Sequence, residues 1–271
     1  MIHTARGRFI LTVYEVRTQA DDLPYFLSLL DHLADKGCPV PATIHDRKGA
    51  RLRELRGKPA ALIEFLPGFS PTRPDPAQAF AAGAALAQIH EAGADFPKSR
   101  EPDWPRERIL TVLETSAAQS VQPADLAPRA RELADRWPGG LPQGTIHSDL
   151  FPDNVLMDGE RVTGMIDFYF AHFGTLAYDL AVLHASWSFE ADGRAFRDQI
   201  GRSLIAGYET IRSLEPKERD AMPVLAQFAC LRFVASRVEE WSLLPTHQRK
   251  DPADFLRRWD FYEGQGHALF A

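Results

Sequence analysis

A proline-rich segment, residues 67–76, separates two parts of this sequence that differ in their pattern of apolar residues. Before it, short runs rich in β-branched and aromatic residues alternate with turn-like sequences, which is typical of β-strands. After it, apolar residues recur at the spacing of α-helices. The sequence therefore predicts an α+β fold with a small β-rich part, residues 1–66, and a larger helical part, residues 67–271.

The β-rich part is predicted to contain one helix among its strands. Residues 8–16, RFILTVYEV, predict a strand, and residues 21–37 predict a helix that begins with acids and ends at a glycine. Three further strands are predicted at residues 42–45, 51–55 and 59–66. The last of these is the most apolar, so we expect it to be central in the sheet.

The helical part is predicted to begin with an alanine-rich helix at residues 77–92, followed by another at about residues 105–116. Residues 117–137 have a weak pattern at first and a helical one by their end. Residues 138–144, PGGLPQG, predict a loop because glycine and proline interrupt regular structure. After residue 179 the pattern is almost entirely helical.

One polar stretch in the helical part, residues 147–154 with the sequence HSDLFPDN, is unusually dense in acids. It is followed by two strand-like runs separated by Asp-Gly at residues 158–159, which is a strong hairpin signal. Folding that hairpin returns the chain past the polar stretch. Asp167 is then predicted to lie beside Asp149 and Asp153, despite its distance in the sequence.

Clustered carboxylates repel one another, and a hard divalent cation neutralises them well. Mg²⁺ prefers oxygen ligands and usually takes one or two from the protein, and Asn154 and Asp167 supply such oxygens. Asp149 is then free to accept the proton of a substrate hydroxyl, as phosphoryl transfer requires. The alternative that stays open is an ordinary hairpin entry with solvated acids, and Asp153 fits it best.

Charge and cysteine content narrow the function classes. The net charge is −6, so no overall basic field attracts nucleic acid or an anionic membrane. The two cysteines, Cys38 and Cys230, are far apart and have no partners at metal-ligand spacing, so a disulfide framework or zinc site is not expected. No apolar run is long enough to span a membrane. We expect a cytoplasmic protein that acts on a small molecule, and the sequence does not indicate its oligomeric state.

The spacing His147-x-Asp149-x4-Asn154, followed by Asp167-Phe168, resembles the catalytic and metal-binding segments of the protein-kinase-like superfamily. The resemblance is closer to its small-molecule branch, the aminoglycoside phosphotransferase and choline kinase-like enzymes. Within that branch the sequence is similar to homoserine kinases of the type found in many proteobacteria.

This similarity extends over nearly the whole chain, including residues 144–182 and the segments RGRFILTVYE, GKPAALIEFLPG and LRFVASR. It implies a two-lobed kinase-like fold. Residues 1–66 would form the nucleotide-binding lobe, and residues 67–271 would form the catalytic and substrate-binding lobe.

The resemblance also implies a role for each polar residue of the motif. Asp149 matches the catalytic base, and Asn154 and Asp167 match the magnesium ligands. His147 matches a histidine that supports the catalytic loop. Asp179 matches an acid that stabilises this loop, and the alternative for Asp179 is the N-cap of the helix that follows.

For the nucleotide, the resemblance implies that Glu64, Phe65 and Leu66 present backbone N–H and C=O groups to the adenine of ATP. Kinases of this superfamily hold the phosphates with a lysine on the strand of residues 8–16, where Thr12 stands in this chain. The relatives also carry a further N-terminal segment that covers the phosphates. Either the start site is assigned too late or the protein lacks this segment, and we favour the first because a missing edge strand would expose the sheet.

Homoserine is a zwitterion, so its site needs a cation or N–H donors for the carboxylate. Arg232 and Arg237 are candidates, and the alternative for each is a surface or ion-paired arginine. Tyr169 and His172 follow the metal-binding aspartate and are predicted to line the substrate pocket, although His172 also fits a structural loop histidine. His90 is predicted to pack beneath the catalytic loop.

The implied function is the ATP- and Mg²⁺-dependent phosphorylation of the hydroxyl of L-homoserine in threonine biosynthesis. One alternative is a related kinase that acts on an amino alcohol, a sugar or an aminoglycoside. Another is a non-catalytic nucleotide-binding scaffold, which the absent lysine suggests. The retained Asp149, Asn154 and Asp167 argue against a scaffold.

Overall fold

The computed structural model describes residues 1–5, 7–15, 20–116, 123, 125–241 and 243–270. Within them, strands are concentrated before residue 67 and helices after it, which confirms the predicted α+β class. The elements are β1 (Ile2–Thr4), β2 (Gly7–Val13), α1 (Leu23–Asp35), β3 (Leu52–Leu55), β4 (Lys58–Glu64), α2 (Pro76–Gly93), α3 (Arg106–Ser116), α4 (Leu126–Asp135), β5 (Gln143–Ile146), β6 (Val155–Asp158), β7 (Arg161–Met165), β8 (His172–Thr175), α5 (Leu176–Trp187), α6 (Asp198–Glu209), α7 (Pro216–Trp241) and α8 (Ala253–Phe270).

The N-terminal sheet is antiparallel with the strand order β1-β2-β4-β3, so β4 is an inner strand as predicted. Helix α1 packs on this sheet through Leu23 and Leu27, which are buried with Ala61 and Ile63. Its other face belongs to the large core of the helical part. Apolar residues on both sides of one helix therefore join the sheet to the rest of the protein.

Helix α7 runs through the core of the helical part and packs against α3, α5 and α8. By length and composition it could cross a membrane, but 89% of its most apolar window is buried inside the protein. A helix that is apolar over most of its surface lies in a protein core or in a membrane, and the burial of this helix favours the core. We therefore describe α7 as a core helix.

Helices α2 and α6 cross at unusually close range because glycines lie at the contact. A Cβ atom on Gly83 would overlap the carbonyl oxygen of Leu204, and one on Gly207 would overlap that of Phe80. Glycine is required here for backbone approach. This crossing places His90, on α2, beneath the polar loop of residues 147–154.

Three predictions of local structure are wrong or incomplete. Residues 42–45 form no strand, since only Thr43 makes an isolated bridge, to Ile63. The loop predicted at residues 138–144 ends early because β5 begins at Gln143, where it pairs with β8. The strand predicted at residues 8–16 ends at Val13.

Two of the predicted stretches extend beyond the residues that the structure describes. Residue 16, at the end of the strand predicted for residues 8–16, lies outside them, as do residues 117–122 and 124 in the weakly helical stretch of residues 117–137. The helical end of that stretch is confirmed by α4.

Candidate active site

The polar stretch, residues 147–154, forms a loop between β5 and β6, and the side chain of Asp179 holds its beginning. The backbone N–H groups of His147 and Ser148 donate to Asp179 Oδ2 and Oδ1, each over 2.7 Å. Ser148 has a left-handed backbone with φ of 65°. Charge-assisted hydrogen bonds of this kind are the strong ones, so they stabilise a conformation that serine seldom adopts.

The His147 ring connects this loop to the segment that carries Asp167. Its Nε2–H donates to the carbonyl oxygen of Ile166 over 2.9 Å, and its Nδ1 accepts the N–H of Asp149 over 3.2 Å. These two bonds fix the neutral tautomer with the proton on Nε2. The ring also packs on Phe168, with centroids 4.5 Å apart. His147 is fully buried, so its position suits a supporting role.

The predicted hairpin is present, since β6 pairs antiparallel with β7. At its open end the N–H of Ile166 donates to the carbonyl oxygen of Asn154 over 3.0 Å. The Asn154 side chain turns back, and its Nδ2 donates to the carbonyl oxygen of Asp149 over 2.8 Å. Asp167 follows with a left-handed backbone, φ of 67°. Asp167 is thus brought back beside Asp149 and Asn154.

These residues line one cavity of about 350 Å³, which we call the acidic cavity. Asp149, Asp153, Asn154 and Asp167 all contribute to its wall. Burial raises the pKa of Asp149, whereas the Arg232 guanidinium lowers it. Loss of solvent likewise raises the pKa of Asp167, and the carboxylate of Asp153 raises it further. A cation in this cavity would be favoured because it relieves that repulsion.

Three cationic side chains also line the acidic cavity, from α7 and the segment after it: Arg232, Arg237 and Lys250. Arg232 lies closest to the proposed base, with Nη1 3.3 Å from Asp149 Oδ1. Arg237 instead donates a hydrogen bond from Nη1 to Asp254 Oδ2 over 3.2 Å. The two arginine candidates therefore differ: Arg232 faces Asp149, and Arg237 fits its ion-paired alternative.

A second cavity, of about 340 Å³, lies between the sheet and the hairpin and meets the acidic cavity at Asp167. We call it the hinge cavity because Glu64, Phe65 and Leu66 line it, together with Thr12. Leu66 lies beyond the end of β4, and its backbone N–H and C=O make no backbone hydrogen bond among the described residues. These groups of Leu66 are available to a ligand. No lysine or arginine stands among the described residues that line this cavity.

Tyr169 and His172 were both predicted to line the substrate pocket, but they line two different cavities. Tyr169 lines the hinge cavity, and its hydroxyl donates to that of Tyr14 over 3.3 Å. His172 is buried on β8, with Nδ1 2.9 Å from the carbonyl oxygen of Phe170, and burial lowers its pKa. His172 lines a third cavity of about 220 Å³, the rear cavity, which shares Arg232 with the acidic cavity.

A series of hydrogen bonds between buried side chains leads away from Asp179 and holds it in place. His90 Nε2–H donates to Asp179 Oδ2 over 3.1 Å, and His90 Nδ1 lies 2.7 Å from the Tyr208 hydroxyl. Arg212 donates to the same hydroxyl over 3.1 Å and pairs with the buried Glu218. The predicted position of His90 beneath the loop is confirmed. The N-cap alternative for Asp179 is wrong because α5 begins earlier, at Leu176.

Helix α5 supports the loop at a second point that the sequence analysis missed. The Leu150 carbonyl oxygen accepts hydrogen bonds from Ser186 Oγ over 3.0 Å and from Trp187 Nε1 over 3.2 Å. Tyr208 and Arg212 were missed as well. The sequence carries no local signal for these residues, since they lie on or after α5 and α6, far from the loop in the sequence.

Comparison with known proteins gives one matching family description, "Phosphotransferase enzyme family", over residues 1–214. A homoserine kinase of Caulobacter sp. (strain K31) is 45% identical, with 100% of this chain and 87% of the relative covered. A homoserine kinase of Brucella canis is 43% identical, with 97% of this chain and 82% of the relative covered.

Solved structures share the fold at low identity. A microcompartment-associated aminopropanol kinase has a TM-score of 0.74 and 21% identity, with 97% of this chain and 87% of that chain covered. The amicoumacin kinase hAmiN, in complex with AMP-PNP, Ca²⁺ and its ligand, has a TM-score of 0.72 and 14% identity, with 97% and 83% covered. These similarities confirm the kinase-like fold.

Proposed function

This chain belongs to the phosphotransferase enzyme family, and we propose that it transfers a phosphoryl group from ATP to the hydroxyl of L-homoserine. The product would be O-phospho-L-homoserine, an intermediate of threonine biosynthesis. The proposal rests mainly on one observation: Asp149, Asn154 and Asp167 line the same cavity. The choice of homoserine rests on relatives that match nearly the full chain.

In the proposed reaction Asp149 is the catalytic base. It accepts the proton of the substrate hydroxyl as that oxygen forms a bond to the γ-phosphorus, and the bond from phosphorus to the ADP oxygen breaks. Positioning and charge neutralisation supply most of the catalysis in phosphoryl transfer. His147 and Asp179 contribute by holding the loop, and Asn154 Nδ2 holds the Asp149 backbone.

Asn154 and Asp167 are the proposed ligands of Mg²⁺. Among the described residues, no group of three or more His, Cys, Asp or Glu side chains could hold a metal ion. A magnesium site of the kinase type fits nonetheless, since it needs only one or two protein oxygens together with phosphates and water. The bound ion would neutralise phosphate charge.

The hinge cavity is the proposed site of the adenine. Apolar residues of the sheet and hairpin would contact the ring, and backbone groups of Phe65 and Leu66 would hydrogen bond to its edge. Asp167, which lines both cavities, would then lie near the phosphates. Residues 1–66 would act as the nucleotide-binding lobe and residues 67–271 as the catalytic lobe of a cytoplasmic enzyme.

Release of ADP, measured with homoserine, choline and an aminoglycoside, tests this proposal. We expect homoserine to give the highest kcat/KM. Asp149→Asn should lower kcat by roughly 100-fold or more, because general base catalysis is lost, while binding of ATP persists. A matched control is Asp158→Asn, since Asp158 is exposed at the end of β6. Full turnover by Asp149→Asn, or preference for another substrate, would contradict the proposal.

A further inference from the structure

Arg232 is a buried cation at the wall of the acidic cavity. Its side chain is 5% exposed and projects from the core helix α7. The guanidinium carbon lies over two aromatic rings, 4.7 Å from the centroid of Phe170 and 4.2 Å from that of Phe233. Stacking of a guanidinium on aromatic rings restricts its orientation and leaves its N–H groups able to hydrogen bond.

The hydrogen bonding of this guanidinium is incomplete. Arginine carries five N–H donors. The described residues provide one acceptor, Asp149 Oδ1, at the long distance of 3.3 Å from Nη1. Nε is buried and has no hydrogen-bond partner within the described part of the chain. A buried charge with so few partners is costly unless another group completes the pairing.

Two other arginines of low exposure have terminal nitrogens that are paired by the protein itself. Arg237, one helical turn away on α7, donates to the Asp251 carbonyl oxygen and to Asp254 Oδ2. Arg258 donates from its terminal nitrogens to three backbone carbonyl oxygens, those of Ala185, Glu190 and Ala191. The Nε of Arg258 is unpaired, as is that of Arg232. Arg232 differs because its terminal nitrogens have one protein acceptor, Asp149 Oδ1, among the described residues.

We infer that Arg232 binds the carboxylate of the substrate and thereby selects an amino-acid alcohol over an amino alcohol. This inference rests on the proposed function. A carboxylate matches the planar fork of the guanidinium and forms charge-assisted hydrogen bonds with it. Ser236 lines the same cavity one turn further along α7 and offers a neutral neighbour to the carboxylate.

The geometry suits a short substrate. The reacting hydroxyl has to lie beside Asp149, and the Arg232 guanidinium contacts Asp149 directly. A substrate with its hydroxyl and carboxylate at opposite ends of a four-carbon chain therefore reaches both residues. A substrate without the carboxylate leaves the buried guanidinium with Asp149 as its one acceptor among the described residues. A site whose buried polar groups stay under-paired with a close analogue rejects that analogue.

The test compares homoserine with 3-amino-1-propanol, which is homoserine without its carboxylate. In Arg232→Gln we expect kcat/KM for homoserine to fall by roughly 30-fold or more, mainly through KM, as for a buried ion pair that loses one partner. The value for 3-amino-1-propanol should fall much less, because that substrate loses only the effect of Arg232 on Asp149. Arg232→Lys, which keeps the charge without the fork, should recover part of the loss.

The control is Arg237→Gln, which removes an arginine of the same helix and cavity that is already paired with Asp254. We expect it to affect the two substrates equally. Calorimetric binding of homoserine and of AMP-PNP gives a second readout: Arg232→Gln should weaken only homoserine binding. Equal losses for both substrates, or unchanged homoserine binding, would overturn the inference. Absence of homoserine phosphorylation by the unaltered chain would instead contradict the proposed function.

Discussion

Ser148 and Asp167 have left-handed backbones, with φ of 65° and 67°, and both lie at the candidate site. A residue other than glycine keeps a left-handed backbone only where the surrounding structure enforces it. Such residues often lie at functional sites. Asp179 fixes Ser148 through the loop N–H groups, and the hairpin fixes Asp167. At the residue scale, the site therefore depends on backbone positions as much as on carboxylates.

A buried histidine away from the site makes stability depend on pH. His184 lies in the core with Nδ1 2.6 Å from the Tyr262 hydroxyl. Burial lowers the pKa of His184 from 6.5 to about 3. As pH falls below 6.5, the unfolded chain binds a proton that the folded protein excludes. Stability should then fall by up to about 1.4 kcal/mol per pH unit.

Urea unfolding of the unaltered chain and of His184→Gln, between pH 7 and pH 4, measures this contribution. The difference in unfolding free energy between the two proteins should shrink as pH falls, because the variant has no imidazole to protonate. A difference that does not change with pH would show that His184 is protonated in the folded state.

At the scale of elements, the crossing of α2 and α6 positions His90 under the loop. Gly83→Ala places a methyl group against the Leu204 carbonyl oxygen. We expect a loss of about 1–3 kcal/mol in unfolding free energy from overpacking. Gly264→Ala is the control, since a Cβ there meets nothing within 4 Å, and helix propensity predicts a gain of up to about 1 kcal/mol. A stable Gly83→Ala protein would contradict the close approach.

The elements that the sequence predicted well are those with strong local signals. The helix predicted at residues 77–92 is α2, Pro76–Gly93, and the hairpin around residues 158–159 is β6 and β7. Strands β5 and β8 were not predicted. Each has four residues and one glycine, so neither shows the alternation that identifies a strand. Their pairing depends on contacts distant in sequence.

For the whole molecule, the acidic cavity was predictable because one short loop and one hairpin bring its polar residues together. The support for that loop was less predictable, since Asp179, His90 and Tyr208 lie on three different helices. The position of Tyr169 in the hinge cavity likewise depends on how α1 and the sheet pack beside the hairpin. Packing of this kind leaves no local pattern in a sequence.

The central claim is that Asp149 serves phosphoryl transfer to the hydroxyl of homoserine. Phosphorus NMR of the product formed from ATP and homoserine tests it most directly, because the phosphorus signal reports the atom that carries the phosphate. We predict a phosphate monoester coupled to the two protons of the terminal methylene, formed by the unaltered chain and not by Asp149→Asn. A phosphate on the carboxylate, or the same product from Asp149→Asn at an unchanged rate, would contradict the account.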